Sequence, residues 1–188
     1  MDRVLDFWFN TEDSNALWWG KNESTDQYIK ETFEADINKA KNGELDSWTE
    51  TAKGRLALII LLDQFSRNIY RNDPKSYAQD AQALQLALDG IKKGDDQQLS
   101  PMERVFMYMP LEHAEDIDIQ NQCVALFEKL KDAVDENQKE QFVFFLKYAI
   151  QHRDIVESFG HFPHRNHIVG RTTSAKEAAF LEQPGSSF

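Results

Sequence analysis

The chain has 188 residues, a formal net charge of −11 at pH 7 and a single cysteine. This length suits one well-packed domain and is short for two, so we expect one domain over residues 1–188. An acidic chain repels nucleic acid and anionic membranes, and the longest apolar run, residues 56–62, is too short to span a bilayer, so neither partner is expected. Because a single cysteine forms no internal disulfide and the charged N-terminus does not resemble a signal peptide, we expect a cytoplasmic protein.

The first part of the chain predicts two helices joined by a loop. Asp2 is expected to cap a short apolar helix that ends at Phe9. Ser24 and Gln27 have the spacing of a capping box, which predicts an amphipathic helix ending near residue 42. Residues 10–23 predict a loop in which two consecutive tryptophans cover the core, with a ligand platform as the alternative.

A helix that begins at residue 52 is hydrophobic on nearly every side and then turns polar at its end. Asp63 and Arg67 are four residues apart with the acid first, which favours an ion pair within the helix. Gln64 and Asn68 line the adjacent row. Two interpretations remain open: the charges neutralise each other at the helix end, or they form one wall of a pocket that Arg153 also faces. We expect Asp63 to be paired with Arg67 or Arg153.

Two more helices lead to a polar pair in the middle of the chain. The first is predicted over residues 77–93, and a Ser-Pro-Met-Glu start signal at residues 100–103 predicts the second. Pro110 is expected to interrupt this second helix, and Glu112 and His113 follow the break. A histidine beside a carboxylate is a common basis of general acid–base chemistry, so both are candidate site residues.

After an outer helix predicted over residues 119–134, residues 142–171 change from an apolar helix to a segment rich in histidine and arginine. The helical wheel puts Arg153 near the middle of the apolar stripe and His152 at its edge. A buried guanidinium is costly unless it is paired, so we expect a carboxylate, a ligand or a wet cleft beside Arg153.

Gly160 and Pro163 end this helix, and basic residues follow on irregular backbone. Two explanations remain open for this basic segment of an acidic chain: its charges pair with acids elsewhere in the fold, or they form a site. Three histidines recur every three residues here, but the proline prevents a regular helix from presenting them together, so no metal site is predicted. Ser174 and Glu177 predict a capping box for a last short helix. The candidate residues of the segment are His164, Arg165, Asn166 and Arg171.

The absence of strand-like alternation predicts an all-α fold with about seven to nine helices. The motifs LLDQFSRNIYR, FMYMPLEHAED and HRDIVESFGHFPHRNHIVGRTTSAKEAAFL occur in this order and resemble a bacterial family known as domain of unknown function 924. The resemblance extends from the N-terminal DFWF segment to the last helix. It implies a tetratricopeptide-like helical bundle or superhelix, although the spacing of the residues shows no tetratricopeptide period. The residues that match the family motifs are Asp63, Gln64, Arg67, Asn68, Glu112, His113, His152, Arg153, His164, Arg165, Asn166 and Arg171.

Three hypotheses about function remain. In the first, the motif arginines bind a small anionic molecule in a pocket shared with histidines and carboxylates, and Arg67, His113, Arg153 and Arg165 line one cavity. In the second, a helical superhelix grips an acidic peptide or protein along a groove. In the third, the motifs only lock the fold through buried ion pairs. No cofactor is predicted and no reaction is assigned. The catalytic candidates are His113 and His164, and the ligand-binding candidates are Asp63, Gln64, Arg67, Asn68, Glu112, His152, Arg153, Arg165, Asn166 and Arg171.

Overall fold

The computed structural model describes residues 1–187, and the fold over this range is all-helical, as predicted. Eleven α-helical segments and no strand lie in this range, which is close to the predicted number of helices, and two segments have only four residues. None of these helices is long and apolar enough to cross a membrane. The helices are α1 (Asp2–Phe9), α2 (Ser14–Trp19), α3 (Glu23–Lys41), α4 (Ala52–Ile59), α5 (Ser66–Ile69), α6 (Asp80–Lys93), α7 (Pro101–Glu112), α8 (Ile117–Ala133), α9 (Lys139–Phe159), α10 (Asn166–Val169) and α11 (Ala175–Leu181).

The chain divides into two compact units. Unit 1 comprises Met1–Arg71 and Lys75–Pro110, and unit 2 comprises Asn72–Pro74 and the chain from residue 111 onward. Unit 1 therefore contains α1 to α6 and most of α7, while unit 2 contains α8 to α11. Each unit holds several of the polar candidate residues.

The centre of unit 1 is α4 together with the turn that follows it. Every residue of α4 except Lys53 is buried, as the all-round hydrophobicity of this helix predicts. Aromatic side chains from α1 and α7 pack around this core: the Trp8 ring lies 5.4 Å from Phe65 and 5.5 Å from Phe106. Because rings of this size bury large apolar areas, they account for much of the stability of unit 1.

The predicted helix starts in unit 1 differ from the observed ones by up to one turn. Asp2 does not cap α1, because it is already the first helical residue. A short helix, α2, replaces part of the expected loop, since the Asp13 side chain accepts a hydrogen bond from the backbone of Ala16. Asn22, not Ser24, caps α3, so the predicted capping box is wrong. The two tryptophans at the end of α2 pack on the core, as expected.

A π-helical turn, Ile60–Phe65, connects α4 to α5. All six of its residues are buried, including the polar Asp63 and Gln64. The wider i→i+5 hydrogen bonding of such a turn is rare and occurs mostly as single turns inside α-helices. Hydrophobic periodicity did not predict the π-helical turn. Such a turn shows in a sequence as a shift in the position of the apolar stripe, and a segment that is apolar on every side has no stripe.

Pro110 lies inside α7 and does not interrupt it, so the predicted break is wrong. The helix ends only two residues later, where backbone carbonyls have no helical partner in any case. The Gln120 side chain from α8 is the hydrogen-bond donor at this helix end: its Nε2 lies 2.7 Å from the Glu112 carbonyl oxygen and 2.8 Å from that of Ala114. A long-range side-chain amide therefore completes the helix end that carries Glu112 and His113.

The buried face of α9 is rotated relative to the prediction. His152 is 5% exposed and lies among the buried residues of this helix, whereas the Arg153 side chain is 29% exposed and pairs with Asp154 at 2.6 Å. The predicted stripe was drawn through Leu146 and Phe159, which are only half-buried, and it left out the buried Ile155. Including Ile155 moves the centre of the stripe towards His152 and away from Arg153. The expectation of a buried Arg153 is therefore wrong.

The last segments of unit 2 follow the sequence closely. Gly160 ends α9 in the left-handed region with a φ of 75°, which glycine adopts without strain. Pro163 begins a short 3₁₀ turn, Pro163–Arg165. Ser174 and Glu177 form both hydrogen bonds of the predicted capping box at the start of α11. These signals determine the path of the chain on either side of the basic segment.

Candidate functional site

Four polar residues of unit 1 contact one another, and we call Asp63, Gln64, Arg67 and Asp80 the ion group. The Arg67 guanidinium lies 2.9 Å from Asp63 Oδ1, and its two terminal nitrogens each lie 2.9 Å from one carboxylate oxygen of Asp80. Gln64 Nε2 donates to Asp63 Oδ2 at 2.6 Å. The predicted ion pair between Asp63 and Arg67 is therefore confirmed, and Asp80 is a further partner that the sequence did not indicate.

Arg67 is held in its charged form. Burial alone would lower the pKa of Arg67, but the carboxylates of Asp63 and Asp80 outweigh burial and raise the pKa above its ordinary value. Asn68, the remaining candidate of this unit, donates to Asp26 Oδ1 at 2.8 Å and thereby connects α5 to α3. The fixed charges and short contacts of the ion group suit a structural role in unit 1.

In unit 2, Glu112 and His152 form a buried pair in which the tautomer of the histidine is fixed. Both residues are 5% exposed, and Glu112 Oε1 lies 3.0 Å from His152 Nδ1. The backbone carbonyl of Tyr148 lies 2.9 Å from the same nitrogen. Since a carbonyl oxygen only accepts hydrogen bonds, Nδ1 carries the hydrogen, and the neutral ring has its lone pair on Nε2.

Side chains from three parts of unit 2 converge on the buried ring of Phe162, and we call His113, His152, Phe162, His164 and Arg165 the histidine cluster. The Arg165 guanidinium carbon lies 4.4 Å from the Phe162 ring centroid, and the rings of His152 and His164 lie 5.5 Å and 5.7 Å from it. His113 is 6.3 Å from His152, ring to ring. Arg165 is buried, whereas His113 and His164 are half-buried. Candidate residues from three separate parts of the sequence therefore lie close together.

The environment of His164 disfavours its charged form. Burial lowers the pKa of His164 to about 4, and the positive charge of Arg165 and the neighbouring His152 and His113 act in the same direction. The carboxylate of Glu115 opposes them but does not outweigh them. His164 is therefore neutral at pH 7.

A bidentate ion pair braces the histidine cluster from one side. Arg171 Nη1 and Nη2 lie 2.7 and 2.8 Å from the two oxygens of Glu115, and the backbone N–H of Phe162 donates to Glu115 Oε1 at 3.0 Å. Burial would raise the pKa of Glu115, but the hydrogen bonds from Arg171 and Phe162 lower it overall. Arg165 Nη1 lies 4.0 Å from the same carboxylate. Glu115 is a residue that sequence reasoning missed, because its partners follow about fifty residues later.

Asn166 belongs to a second polar group, around Glu177. Asn166 Nδ2 donates to Glu177 Oε1 at 3.0 Å, and His161 Nε2 lies 2.6 Å from the same oxygen. The hydrogen bonds of Glu177 to Ser174, and then to Asn166 and His161, lower its pKa to about 2. This group ties the basic segment to α11, so the contacts of Asn166 serve that connection.

Unit 2 thus brings together Glu112, His113, His152, His164 and Arg165, while Arg153 lies on the flank of α9 and Arg171 is engaged by Glu115. Cys123, which is fully buried in α8, has a pKa raised well above its ordinary value by burial and by Glu112, so its thiol stays protonated. Within residues 1–187, no group of three or more His, Cys, Asp or Glu side chains is arranged to hold a metal ion.

Comparisons with known proteins give a family and a fold. The family of bacterial proteins of unknown function called DUF924 matches residues 4–185. A protein of unknown function from Agrobacterium tumefaciens has a structure similar to this one, with a TM-score of 0.86, 38% sequence identity and 96% of each chain covered. A search of the curated proteins finds no match. The tetratricopeptide-like arrangement remains a prediction. The motifs, the match over nearly the whole chain and the shared fold agree: this chain belongs to the DUF924 family of bacterial proteins.

Proposed function

We propose that the protein binds a small anionic molecule at the histidine cluster. The observation that supports this proposal is the convergence of Arg165 with three imidazoles from separate parts of unit 2. A guanidinium presents several N–H donors in a planar fork, which matches the oxygens of a carboxylate or phosphate. Imidazole N–H groups add donors whose charge adjusts to the ligand.

The partners of the other arginines in unit 2 favour Arg165 as the residue that receives the anion. Arg153 is bound to Asp154 at 2.6 Å and Arg171 to Glu115 at 2.7 Å. Arg165 lies over the Phe162 ring among the imidazoles, and its Nη1 is 4.0 Å from Glu115, farther than the 2.7 Å between Arg171 and the same carboxylate. Arg153 and Arg171 were expected to receive the anion as well, and their contacts favour structural roles for both.

Proton handling is proposed for the two half-buried histidines, His113 and His164. Both lie next to His152, whose tautomer is fixed by Glu112. A half-buried imidazole contacts both the cluster and the solvent, as proton exchange requires. The proposal covers binding with adjustable protonation, and it assigns no reaction.

The test is an anion titration followed by ¹H NMR of the histidine Cε1–H signals, with thermal unfolding as a second measurement. Sulfate, phosphate and small dicarboxylates should move the His113 and His164 signals saturably. A ligand at about 100 times its dissociation constant should add about 2.7 kcal/mol to the free energy of unfolding. Arg165→Met should remove both effects, whereas the matched variant Arg153→Met should keep them. Unchanged histidine signals throughout the series, or loss of the effect in both variants, would contradict the proposal.

A second candidate function, an interaction module, is favoured by the outer face of α9. Val143 and Phe144 are each 52% exposed, and Tyr148 packs against Phe144 with ring centroids 4.7 Å apart. No acidic residue occurs in residues 141–151 of this acidic chain, so two copies meeting along this face would avoid local repulsion between carboxylates. Sedimentation equilibrium tests this: a dimer that Phe144→Lys converts to a monomer supports the module, and a monomeric wild-type protein at high concentration contradicts it.

A further inference from the structure

The outer face of α9 carries two opposite charges, one on each side of its apolar centre. Val143 and Phe144 are exposed at the middle of this face. Glu140 precedes them, Lys147 follows them, and both charged side chains are exposed. Residues seven positions apart differ by only about 20° around a helix, so the two charges lie in one row along α9. Neither charge takes part in an ion pair within residues 1–187, so both are accessible to a second molecule.

The two charges are placed symmetrically about the apolar centre. Because each helical residue rises 1.5 Å, they lie about 5 Å on either side of the midpoint between Val143 and Phe144. When two copies of α9 meet antiparallel at this midpoint, Lys147 of each copy is level with the partner's Glu140, and the two-fold axis repeats the contact. In a parallel pair, each charge is level with the same charge of the other copy. Opposite charges attract and like charges repel, so this face favours the antiparallel direction.

We infer that the outer face of α9 binds a second copy of this chain in the antiparallel direction, with Lys147 paired to the partner's Glu140 at two symmetric contacts. This inference rests on the self-association proposed above as the second candidate function, and it is independent of the anion binding. Val143 and Phe144 supply the apolar centre of the contact, and Tyr148, packed on Phe144, widens it. Apolar contacts alone are compatible with both directions, so the charges select one of them.

The size of this face determines how the association must be measured. A standard stable interface uses about 20–30 residues from each partner, and one face of a single helix offers fewer. We therefore expect a weak dimer that forms at high protein concentration. Two chains of formal charge −11 also repel each other, and salt screens this repulsion as well as the ion pairs. The ion pairs are therefore isolated by comparing variants at one low ionic strength.

The experiment measures the dimer dissociation constant by sedimentation equilibrium for four exchanges of charge. Lys147→Glu and Glu140→Lys each make both contacts repulsive, and each should raise the dissociation constant by about tenfold. Net charge alone predicts the opposite for Glu140→Lys, which makes the chain less acidic. The double variant Glu140→Lys/Lys147→Glu restores both pairs and should return to the wild-type value. Glu157→Lys, at an exposed position of α9 outside the pair, is the matched control and should not weaken association.

The outcomes separate the direction of pairing from self-association itself. An equimolar mixture of the two single variants should associate more tightly than either variant alone, because each chain then meets complementary charges. Single variants that associate like the wild type, or a double variant that does not recover, would overturn the antiparallel pairing. If Phe144→Lys still abolished the dimer in that case, the interaction module would stand. A wild-type protein that stays monomeric at high concentration would reject both the module and the inference, and would assign the face to a different protein partner.

Discussion

The two units bury their polar residues in opposite ways. In unit 1, Arg67 lies between two carboxylates at 2.9 Å, and none of the three groups has an ordinary pKa near neutrality. In unit 2, Arg165 lies among imidazoles and 4.0 Å from Glu115, and an imidazole is a group that can gain or lose its charge. Both groups contain residues of the family motifs, so motif membership alone does not separate structural residues from functional ones.

This difference shows which property distinguishes a site from a structural network. A network whose cation is already bound by carboxylates has no positive charge left to offer an anion, and breaking it costs stability. A cluster of imidazoles around a buried guanidinium contains groups that can gain a charge when an anion binds. Substitutions in the two units should therefore affect different measurements.

The largest effect is expected from Asp63→Ala in the ion group of unit 1. Asp63 is fully buried, and its removal leaves Arg67 with one carboxylate fewer and Gln64 without its acceptor. The free energy of unfolding should fall by about 3–5 kcal/mol, as for other broken buried pairs. Urea denaturation measures this change, and Asp154→Ala, at an exposed pair, is the matched control, with an expected cost below about 1 kcal/mol. Equal costs at the two positions would contradict the structural role of the ion group in unit 1.

The next effect is expected from Gln120→Met on α8. This variant keeps most of the volume but removes the donor that binds the carbonyls at the end of α7. The expected cost is about 1–3 kcal/mol, because the freed carbonyls stay buried. Since these carbonyls flank Glu112 and His113, the Cε1–H signals of His113 and His152 should also move. Gln122→Met, at an exposed position of the same helix, should change neither quantity.

A smaller effect concerns stability as a function of pH and isolates His164. Its pKa is about 4 in the folded protein and near its ordinary 6.5 in the unfolded chain. The unfolded state therefore binds more protons between these values, so the stabilising contribution is complete above about pH 6.5 and is lost as the pH falls towards 4. Between pH 7.5 and 5.5 the wild type should lose about 1 kcal/mol more than His164→Gln, after allowance for solvent screening. An identical loss in the two proteins would show that His164 is not held neutral.

The smallest effect is expected from Arg153→Met. Its partner Asp154 is largely exposed, so the pair contributes little and the freed carboxylate reaches water. Stability should change by less than about 0.5 kcal/mol, and anion-induced shifts of the histidine signals should persist. A loss of these shifts would show that Arg153 takes part in anion binding, as Arg165 is proposed to do.

The sequence predicted the features that depend on neighbours along the chain. The all-α class, the capping box at Ser174 and Glu177, and the pair of Asp63 and Arg67 follow from spacings of three or four residues. The candidates Glu112, His113, His152, His164 and Arg165 lie together in unit 2, but the family motifs selected them, not their spacing, and the set that was predicted to share a cavity was Arg67, His113, Arg153 and Arg165. Local patterns thus define the elements and suggest which residues to compare.

The features that the sequence missed depend on contacts between distant segments. Asp80, Glu115 and Gln120 have unremarkable surroundings in the sequence, and only the fold brings them to Arg67, Arg171 and the end of α7. The exchange of Arg153 for His152 as the buried residue of α9 has a different cause. The centre of a stripe drawn from six positions depends on each of them, and leaving out Ile155 was enough to favour Arg153 over His152.

The π-helical turn Ile60–Phe65 sets the direction in which the side chains of α5 point. Each residue of a helix advances the chain by about 100° around the axis, so a turn that closes its hydrogen bonds one residue later resets the direction of every subsequent side chain. Arg67, two residues beyond the turn, meets Asp80 in this reset direction. Length therefore matters more here than the choice of aliphatic side chain: the loss of a single residue from the turn would rotate the guanidinium away from the carboxylate that it binds.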